Sequence, residues 1–153
     1  MIDTPTIQRT TAQRTAIIHL TIPGRDMPKY MDPAIQEILK VLSDQGIKPV
    51  GPMFSYHHRM PSDTFDFEIG FPVDSEIKPM GRVQPSELPA AHVARTIHHG
   101  PYEGLSDAWR EFGQWVKTQG LDADSRFYER YLDDPTKTDS SEYRTEINRI
   151  LIG

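Results

Sequence analysis

Apolar residues recur along the chain with two periodicities, one typical of helices and one typical of strands. Spacings of three and four predict helices over about residues 33–45 and 101–119. Gly46 and Gly120 follow these segments directly, at the position where many helices end in left-handed backbone. Two helices of similar length, each stopped by a glycine, are therefore predicted.

Strand-like segments surround each helix in the same order. One precedes and two follow, over residues 15–22, 50–58 and 65–73 in the first half and residues 92–98, 126–132 and 143–152 in the second. We interpret this as one domain over residues 1–153, made of two β-α-β-β halves, residues 1–80 and 81–153, with a linker near residues 74–89. One helix covers one face of its part of a sheet. The predicted fold class is α+β: one antiparallel sheet, two main helices on one face and a ligand cleft on the other.

Composition excludes several classes of function. The chain carries 17 basic and 22 acidic side chains, a net charge of −5, without clustered Lys or Arg, so direct nucleic acid binding is not expected. It contains no cysteine, which excludes disulfides and thiolate chemistry. No signal-peptide pattern or membrane-length apolar segment is present, so a cytoplasmic protein without membrane contact is expected. Phosphate-loop and nucleophile-elbow motifs are also absent, and no cofactor is predicted.

Two adjacent histidine pairs, His57-His58 and His98-His99, raise the question of a metal site. Neighbouring residues of a strand point to opposite faces, so neither pair can chelate one ion. A site would require one histidine from each pair and an added carboxylate. We therefore predict no metal.

Four motifs of the second half, in this order, resemble the GyrI-like family. They are residues 97–105 (IHHGPYEGL), the helix containing Trp109 and Trp115, residues 131–135 (YLDDP) and residues 144–147 (RTEI). This family includes effector-binding domains of AraC-type and MerR-type regulators and stand-alone DNA gyrase inhibitory proteins. Residues 1–80 match it in pattern only. No helix-turn-helix pattern flanks the repeat, so a direct transcription-factor role is not expected.

The resemblance implies a duplicated fold with a ligand cleft between the halves. In multidrug-responsive members, a buried glutamate on the last strand and nearby aromatic side chains hold lipophilic cations, and the matching residue here is Glu146. Other members resemble hydrolases that open strained rings with an acidic residue and a tyrosine. For such an enzyme the candidates are Glu146, Tyr128 and Tyr131.

Strand alternation gives an independent argument on Glu146. Ile147 and Leu151 suit the side packed against helices, which places Glu146 on the other side of the sheet. A carboxylate in a desolvated aromatic cleft would attract an organic cation. The alternative is an ordinary ion pair of Glu146 with Arg130, Arg144 or a residue of a neighbouring strand.

Further candidate ligand contacts are one acidic residue and several aromatic residues. They are Glu68, Phe54, Tyr56, Tyr128, Tyr131, Trp109 and Tyr102. Each has a structural alternative: a solvated face for Glu68, core packing for the aromatic side chains and helix capping around Tyr102. Alternation places Tyr128 and Tyr131 on opposite faces, so only one can line a given cleft.

Three hypotheses follow. The first is a protein that binds lipophilic cationic or aromatic molecules, as a sensor or by sequestration. The second is a hydrolase of strained electrophilic aromatic compounds that uses Glu146 and a tyrosine. The third is an interaction protein resembling gyrase inhibitors, whose partner is gyrase or a regulator.

Overall fold

The computed structural model describes residues 2–152 and contains two α-helices and eight strands. The helices are α1, Met27–Asp44, and α2, Leu105–Thr118, and short 3-10 turns occur at Gly24–Asp26, Tyr102–Gly104 and Ser140–Glu142. The strands are β1 Thr6–Arg9, β2 Gln13–Pro23, β3 Phe54–His57, β4 Thr64–Pro72, β5 Gln84–Leu88, β6 His92–His99, β7 Ala123–Tyr131 and β8 Arg144–Leu151. No helix of this part of the chain is both long and apolar enough to cross a membrane.

All eight strands form one antiparallel sheet in the order β1-β6-β8-β7-β3-β4-β2-β5. The predicted order is confirmed in both halves, as β2-α1-β3-β4 and β6-α2-β7-β8. The edge strands were not predicted. β5 lies in the predicted linker and pairs with β2, while β1 pairs with β6 of the other half. Both are short and largely exposed, so they lack the apolar alternation that marks a strand in sequence.

The first helix begins earlier than its apolar spacing indicates. α1 starts at Met27, with Pro28 in the first turn, and Pro33 lies inside it instead of opening it. Proline suits a first turn because its missing N–H is not needed there. The predicted glycine stops are confirmed: Gly46 and Gly120 have φ angles of 69° and 68°.

Both helices pack on one face of the sheet, as predicted, and we call this the helix face. Cross-strand partners point to the same side, and one row runs across the centre of this face: Ile18, Ile69, Ser55, Glu129, Ile147 and Thr96. One apolar cluster joins α1 to β2 and β4, and another joins α2 to β6 and β8. Glu129 is the one carboxylate of the central row.

The opposite side, which we call the back face, has a more polar central row. Its members are His19, Glu68, Tyr56, Tyr128, Asn148 and Arg95. A third, smaller apolar cluster lies on this face and includes Ile17, Phe54 and Val93. The two faces therefore differ in both packing and charge.

Candidate ligand-binding site

Two cavities open on the helix face, one beside each helix, and together we call them the helix-face cleft. The α2 cavity, of about 570 Å³, lies between α2, the β3–β4 turn and the middle of the sheet. The α1 cavity, of about 660 Å³, lies between α1, the segment before β3 and the segment after β7. Apolar side chains line much of both, among them Met27, Phe65, Trp109 and Phe127 in the α2 cavity and Ile35, Leu39, Met53 and Phe71 in the α1 cavity.

The carboxylate of Glu129 lies in the wall of the α2 cavity and accepts hydrogen bonds from two neutral donors. Trp109 of α2 donates its indole N–H to Oε2 over 2.6 Å, and the Tyr131 hydroxyl donates to Oε1 over 2.8 Å. No Lys or Arg of residues 2–152 forms an ion pair with Glu129. Burial raises the pKa of this carboxyl above its usual range, although the two hydrogen bonds act in the opposite direction.

Tyr131 connects the two cavities. Its ring lines the α1 cavity, while its hydroxyl lies between Glu129 and the Ser55 hydroxyl, which is 2.8 Å away. Burial raises the pKa of Tyr131 well above its usual range, and the adjacent Glu129 charge adds to this effect. Tyr102 packs edge-on against the Tyr131 ring at 5.8 Å and stacks on Tyr143 at 4.8 Å. The carboxylate is thus bordered by a group of aromatic side chains.

Charged side chains are distributed unequally between the two cavities. The lining of the α1 cavity contains Asp32, Asp133 and Asp134 and no basic residue. Arg110 and Arg149 line the α2 cavity. Arg110 pairs with Asp107, and the Arg149 Nε donates to the Asp124 carbonyl. Neither arginine therefore pairs with Glu129, although Arg149 keeps a positive charge in the wall of this cavity.

The back face carries a smaller hollow of about 340 Å³, on the side where the sequence predicted the cleft. Its lining includes Phe54, Tyr128, Arg95 and Arg130. Glu146 lies on this face, as strand alternation predicted, and is 7% exposed. It is not part of the hollow's lining.

The Glu146 carboxylate is occupied by cationic and amide donors. Arg130 donates to both of its oxygens at 3.1 and 3.2 Å, the Arg95 Nε lies 3.3 Å from Oε1, and the Asn148 amide donates to Oε1 over 3.0 Å. Glu146 therefore forms the sheet ion pair that was predicted from the sequence as the alternative to ligand contact, and Arg130 is one of the partners predicted there. Arg144 pairs with Asp133 instead.

The sheet divides the predicted site residues into two sets. Trp109, Tyr131 and Tyr102 lie on the helix face around Glu129. The other predicted residues lie on the back face: Glu146, Glu68, Phe54, Tyr56 and Tyr128. A cleft on one face of the sheet can therefore contain the residues of only one of the two sets.

Glu129 is the residue that sequence reasoning missed. The signal was available, because alternation in β7 places Glu129 on the same face as Phe127 and Tyr131. A lone carboxylate between two aromatic residues on the apolar side of a strand is unusual, since burying a charge is costly. Its position beside Trp109, however, depends on how α2 packs.

One further polar cluster lies on the back face, near the end of β3. Ligand atoms of His19, His58 and Asp66 come within 4.8 Å of one another. This is a different histidine combination from the one considered in the sequence. Beyond these three residues, the described chain offers no group of three metal-ligating side chains this close together.

The family is established by comparison with known proteins. The family model of the GyrI-like small molecule binding domain matches residues 3–148, so the chain belongs to this family. No curated protein matches the chain in sequence.

Three relatives of known structure share the fold. The C-terminal domain of EcmrR is 24% identical to this chain, with 97% of each chain covered and a TM-score of 0.85. In the structure of an EcmrR–DNA complex, the match is 25% identical, has a TM-score of 0.83, and covers 97% of this chain and 57% of the EcmrR chain. SAV2435 bound to tetraphenylphosphonium is 15% identical over 99% of this chain and 95% of that one, with a TM-score of 0.67. A hydrolase from Listeria innocua is 14% identical over 97% and 91%, with a TM-score of 0.68.

Proposed function

We propose that this small-molecule-binding domain takes lipophilic organic cations into the helix-face cleft, with Glu129 as the counter-charge. The observation that carries the proposal is a partly buried carboxylate whose hydrogen-bond donors are all neutral. A carboxylate held away from water without a cation is costly, and a bound cation removes part of that cost. Glu129 is therefore better suited to an incoming cation than Glu146, which two arginines already neutralise.

The walls of the cleft fit the rest of such a ligand. Trp109 and Tyr131 line the cleft beside the carboxylate, with Tyr102 packed against Tyr131, and aromatic faces attract cations as well as apolar groups. In the lining of the α1 cavity, Asp32 and Asp134 also favour a positive charge, whereas Asp133 is already paired with Arg144. SAV2435, of the same fold, is bound to tetraphenylphosphonium, a bulky lipophilic cation.

The test is tetraphenylphosphonium binding to the wild type and to Glu129→Gln and Glu146→Gln, measured by calorimetry and thermal shift. A hydrogen bond or contact to a charged group contributes about 1.5–3 kcal/mol, so Glu129→Gln is expected to weaken binding roughly 10- to 150-fold. Glu146→Gln is the matched control and should retain most of the affinity. Binding lost in Glu146→Gln and kept in Glu129→Gln would instead assign the ligand to the back face.

A comparison of a charged and an uncharged ligand provides a second test of the role of Glu129. Triphenylphosphine oxide has a similar apolar surface without the positive charge. It is expected to bind the wild type less tightly than tetraphenylphosphonium and to be little affected by Glu129→Gln. Equal affinities for the two compounds would contradict a role for the Glu129 charge.

A hydrolase is the second candidate function, and the Glu129–Tyr131 pair favours it. Burial raises the pKa of the carboxyl, a shift in the direction that general acid–base catalysis uses, and the hydroxyl lies 2.8 Å away. Glu129 and Tyr131 would then take the roles that the sequence assigned to Glu146 and a tyrosine. The test is mass spectrometry of strained electrophilic aromatic compounds incubated with the protein, with Tyr131→Phe and Glu129→Gln as inactive variants and Tyr128→Phe as an active one.

The biological role that fits best is that of a sensor or sequestering module. EcmrR carries a domain of this fold within a longer chain whose structure is a DNA complex. A sensing role predicts that ligand binding changes contacts with a regulator, whereas sequestration requires binding alone. The described residues provide no feature that favours direct inhibition of gyrase, which stays a prediction.

A further inference from the structure

We propose that His19, His58 and Asp66 form a binding site for one divalent transition-metal ion of the Zn²⁺ type on the back face. The site is independent of the proposed function, because the sheet separates it from the helix-face cleft. It combines two imidazoles with one carboxylate, a ligand set that transition metals favour over Mg²⁺ or Ca²⁺.

The sheet register brings the three side chains together. His58 directly follows β3, and its backbone N–H donates to the Asp66 carbonyl of β4. On the other side of β4, His19 of β2 is the partner of Glu68, two residues from Asp66. All three side chains project from the same face because they alternate with residues of the helix-face core.

The distances suit a shared ion. The His19 Nε2 lies 2.5 Å from the Asp66 Oδ1, and the His58 Nδ1 lies 3.5 Å from the same oxygen. A tetrahedral Zn²⁺ with bonds of 2.0–2.1 Å separates its ligand atoms by about 3.3 Å. All three ligand atoms lie within 4.8 Å of one another, and His19 is half exposed, so its ring has room to adjust to the spacing that the ion requires.

The geometry around His58 also fits a metal ligand. Its other ring nitrogen, Nε2, lies 2.6 Å from the Glu68 Oε2, and the Ser86 hydroxyl donates to the Glu68 Oε1 over 2.7 Å. A carboxylate that accepts the second N–H of a histidine fixes the ring and directs the first nitrogen to the metal. We therefore assign Glu68 a positioning role behind His58, which gives this sequence-predicted acidic residue a different function from ligand contact.

Three protein ligands leave the fourth position of a tetrahedral ion open. Water or an external donor would occupy it, as in open zinc sites. Arg59 donates to Ser62 and Thr64 within the β3–β4 turn, and Arg126, which the β3–β7 register places near His58, pairs with Asp124. The site is thus accessible from solvent on the side of the half-exposed His19, and the ion pairs of the described residues leave its three ligand atoms without a Lys or Arg partner.

The test is metal titration of the full chain after treatment with a chelator. Zn²⁺ binding is followed by calorimetry and Co²⁺ binding by its visible absorption, which reports imidazole and carboxylate coordination. The wild type is expected to bind one equivalent, and His19→Ala and His58→Ala should each lose at least ten-fold in affinity. Glu68→Gln should lose about ten-fold, the usual effect of removing such a positioning carboxylate.

The matched control is His99→Ala, because His99 also faces a carboxylate, Asp3 at 3.0 Å, but has no second histidine. It should bind metal like the wild type. Histidine side-chain NMR provides a measurement that does not depend on the variants folding: Zn²⁺ should shift the His19 and His58 signals and leave that of His99 unchanged. Absence of binding, or binding that persists in both His19→Ala and His58→Ala, would overturn the proposal.

Discussion

Glu129 and Glu146 lie near each other at the centre of one sheet but on opposite faces, in opposite electrostatic surroundings. Arg130 of β7 is the cross-strand partner of Glu146, and the preceding residue, Glu129, is the partner of Ile147. On the back face, two arginines and an amide saturate Glu146. On the helix face, an indole and a phenol are the donors to Glu129.

The Glu146 carboxylate is already paired with cationic side chains, whereas the Glu129 carboxylate has no cationic partner among the described ion pairs. Removing either partner of a buried, fully hydrogen-bonded ion pair lowers the stability of the fold, because the other charge is left buried and unpaired. The charge of a buried carboxylate with neutral donors is not compensated by the protein, and a cationic ligand can offset the cost of burying it. Two glutamates of one sheet, both shielded from water, therefore differ in the charge of their partners.

The largest contrast is expected in folding stability. Glu146→Gln leaves Arg95 and Arg130 without an anion and should lower the free energy of unfolding by about 3 kcal/mol, at the lower end for a broken buried pair because Arg130 is 32% exposed. Glu129→Gln keeps an acceptor for Trp109 and removes a poorly solvated charge, so it should cost little at neutral pH. Urea denaturation of both variants measures the difference.

The pH dependence should distinguish them further. Because burial raises the Glu129 pKa in the folded protein, its stabilising contribution is complete below the unfolded pKa and is lost as the pH rises through the folded one. Relative to the wild type, Glu129→Gln should thus gain stability between acidic and neutral pH. Equal or larger losses in Glu129→Gln at neutral pH would remove the distinction between the two carboxylates.

A second contrast concerns His57, whose ring is 4% exposed and stacked between Phe67 and Phe127 on the helix face. Burial lowers its pKa to about 4. As the pH falls from about 6.5 to 4, the unfolded chain takes up a proton that the folded protein excludes, at a cost of about 3 kcal/mol. His57→Phe should remove this part of the acid destabilisation, as measured by urea denaturation across that pH range.

The appropriate control for His57 is His99→Ala, since His99 is exposed and paired with Asp3. Its stability should follow the wild-type pH curve. If the free energy of unfolding of His57→Phe falls with decreasing pH as steeply as that of the wild type, His57 is protonated in the folded protein. That result would contradict its burial as a neutral ring.

The smallest contrast is between two tyrosines of β7. Tyr131→Phe removes the donor to Glu129 and a partner of Ser55, and should cost about 1.5 kcal/mol of stability. Tyr128→Phe loses only a long 3.4 Å contact with Arg95, so a cost below about 0.5 kcal/mol is expected. Thermal unfolding of the two variants compares them, and equal losses would mean that the Glu129 hydrogen bond contributes nothing.

Periodicity was sufficient for the helices and the six central strands. Ile38 and Leu42 mark the buried stripe of α1, and Gly46 marks its end, because these signals depend on neighbours three or four residues apart. The start of α1 was displaced because Pro33 resembles a first-turn proline, whereas it lies inside the helix. β1 and β5 escaped prediction because their stability comes from pairing with distant strands.

The ligand-contact residues predicted from the sequence stay predictions. Trp109 and Tyr131 line cavities of the helix-face cleft and Tyr102 packs against Tyr131, and whether any of them contacts a ligand stays a prediction. Alternation assigns each strand residue to a face, but it gives no information on which charges meet across strands. The pairing of Glu146 with Arg95 depends on the β6–β8 register, and that register is fixed by contacts between residues some 50 positions apart.

The sequence by itself determined the duplicated β-α-β-β order, the family resemblance and the face on which residues of the six central strands lie, because these follow from local periodicity and short motifs. Tertiary structure alone decided which carboxylate is neutralised, which is bordered by Trp109 and Tyr131, and which histidine meets His58. Those outcomes depend on the packing of α2 and the register of neighbouring strands. Such long-range contacts set the solvation and the partners of each charge, and through them its chemistry.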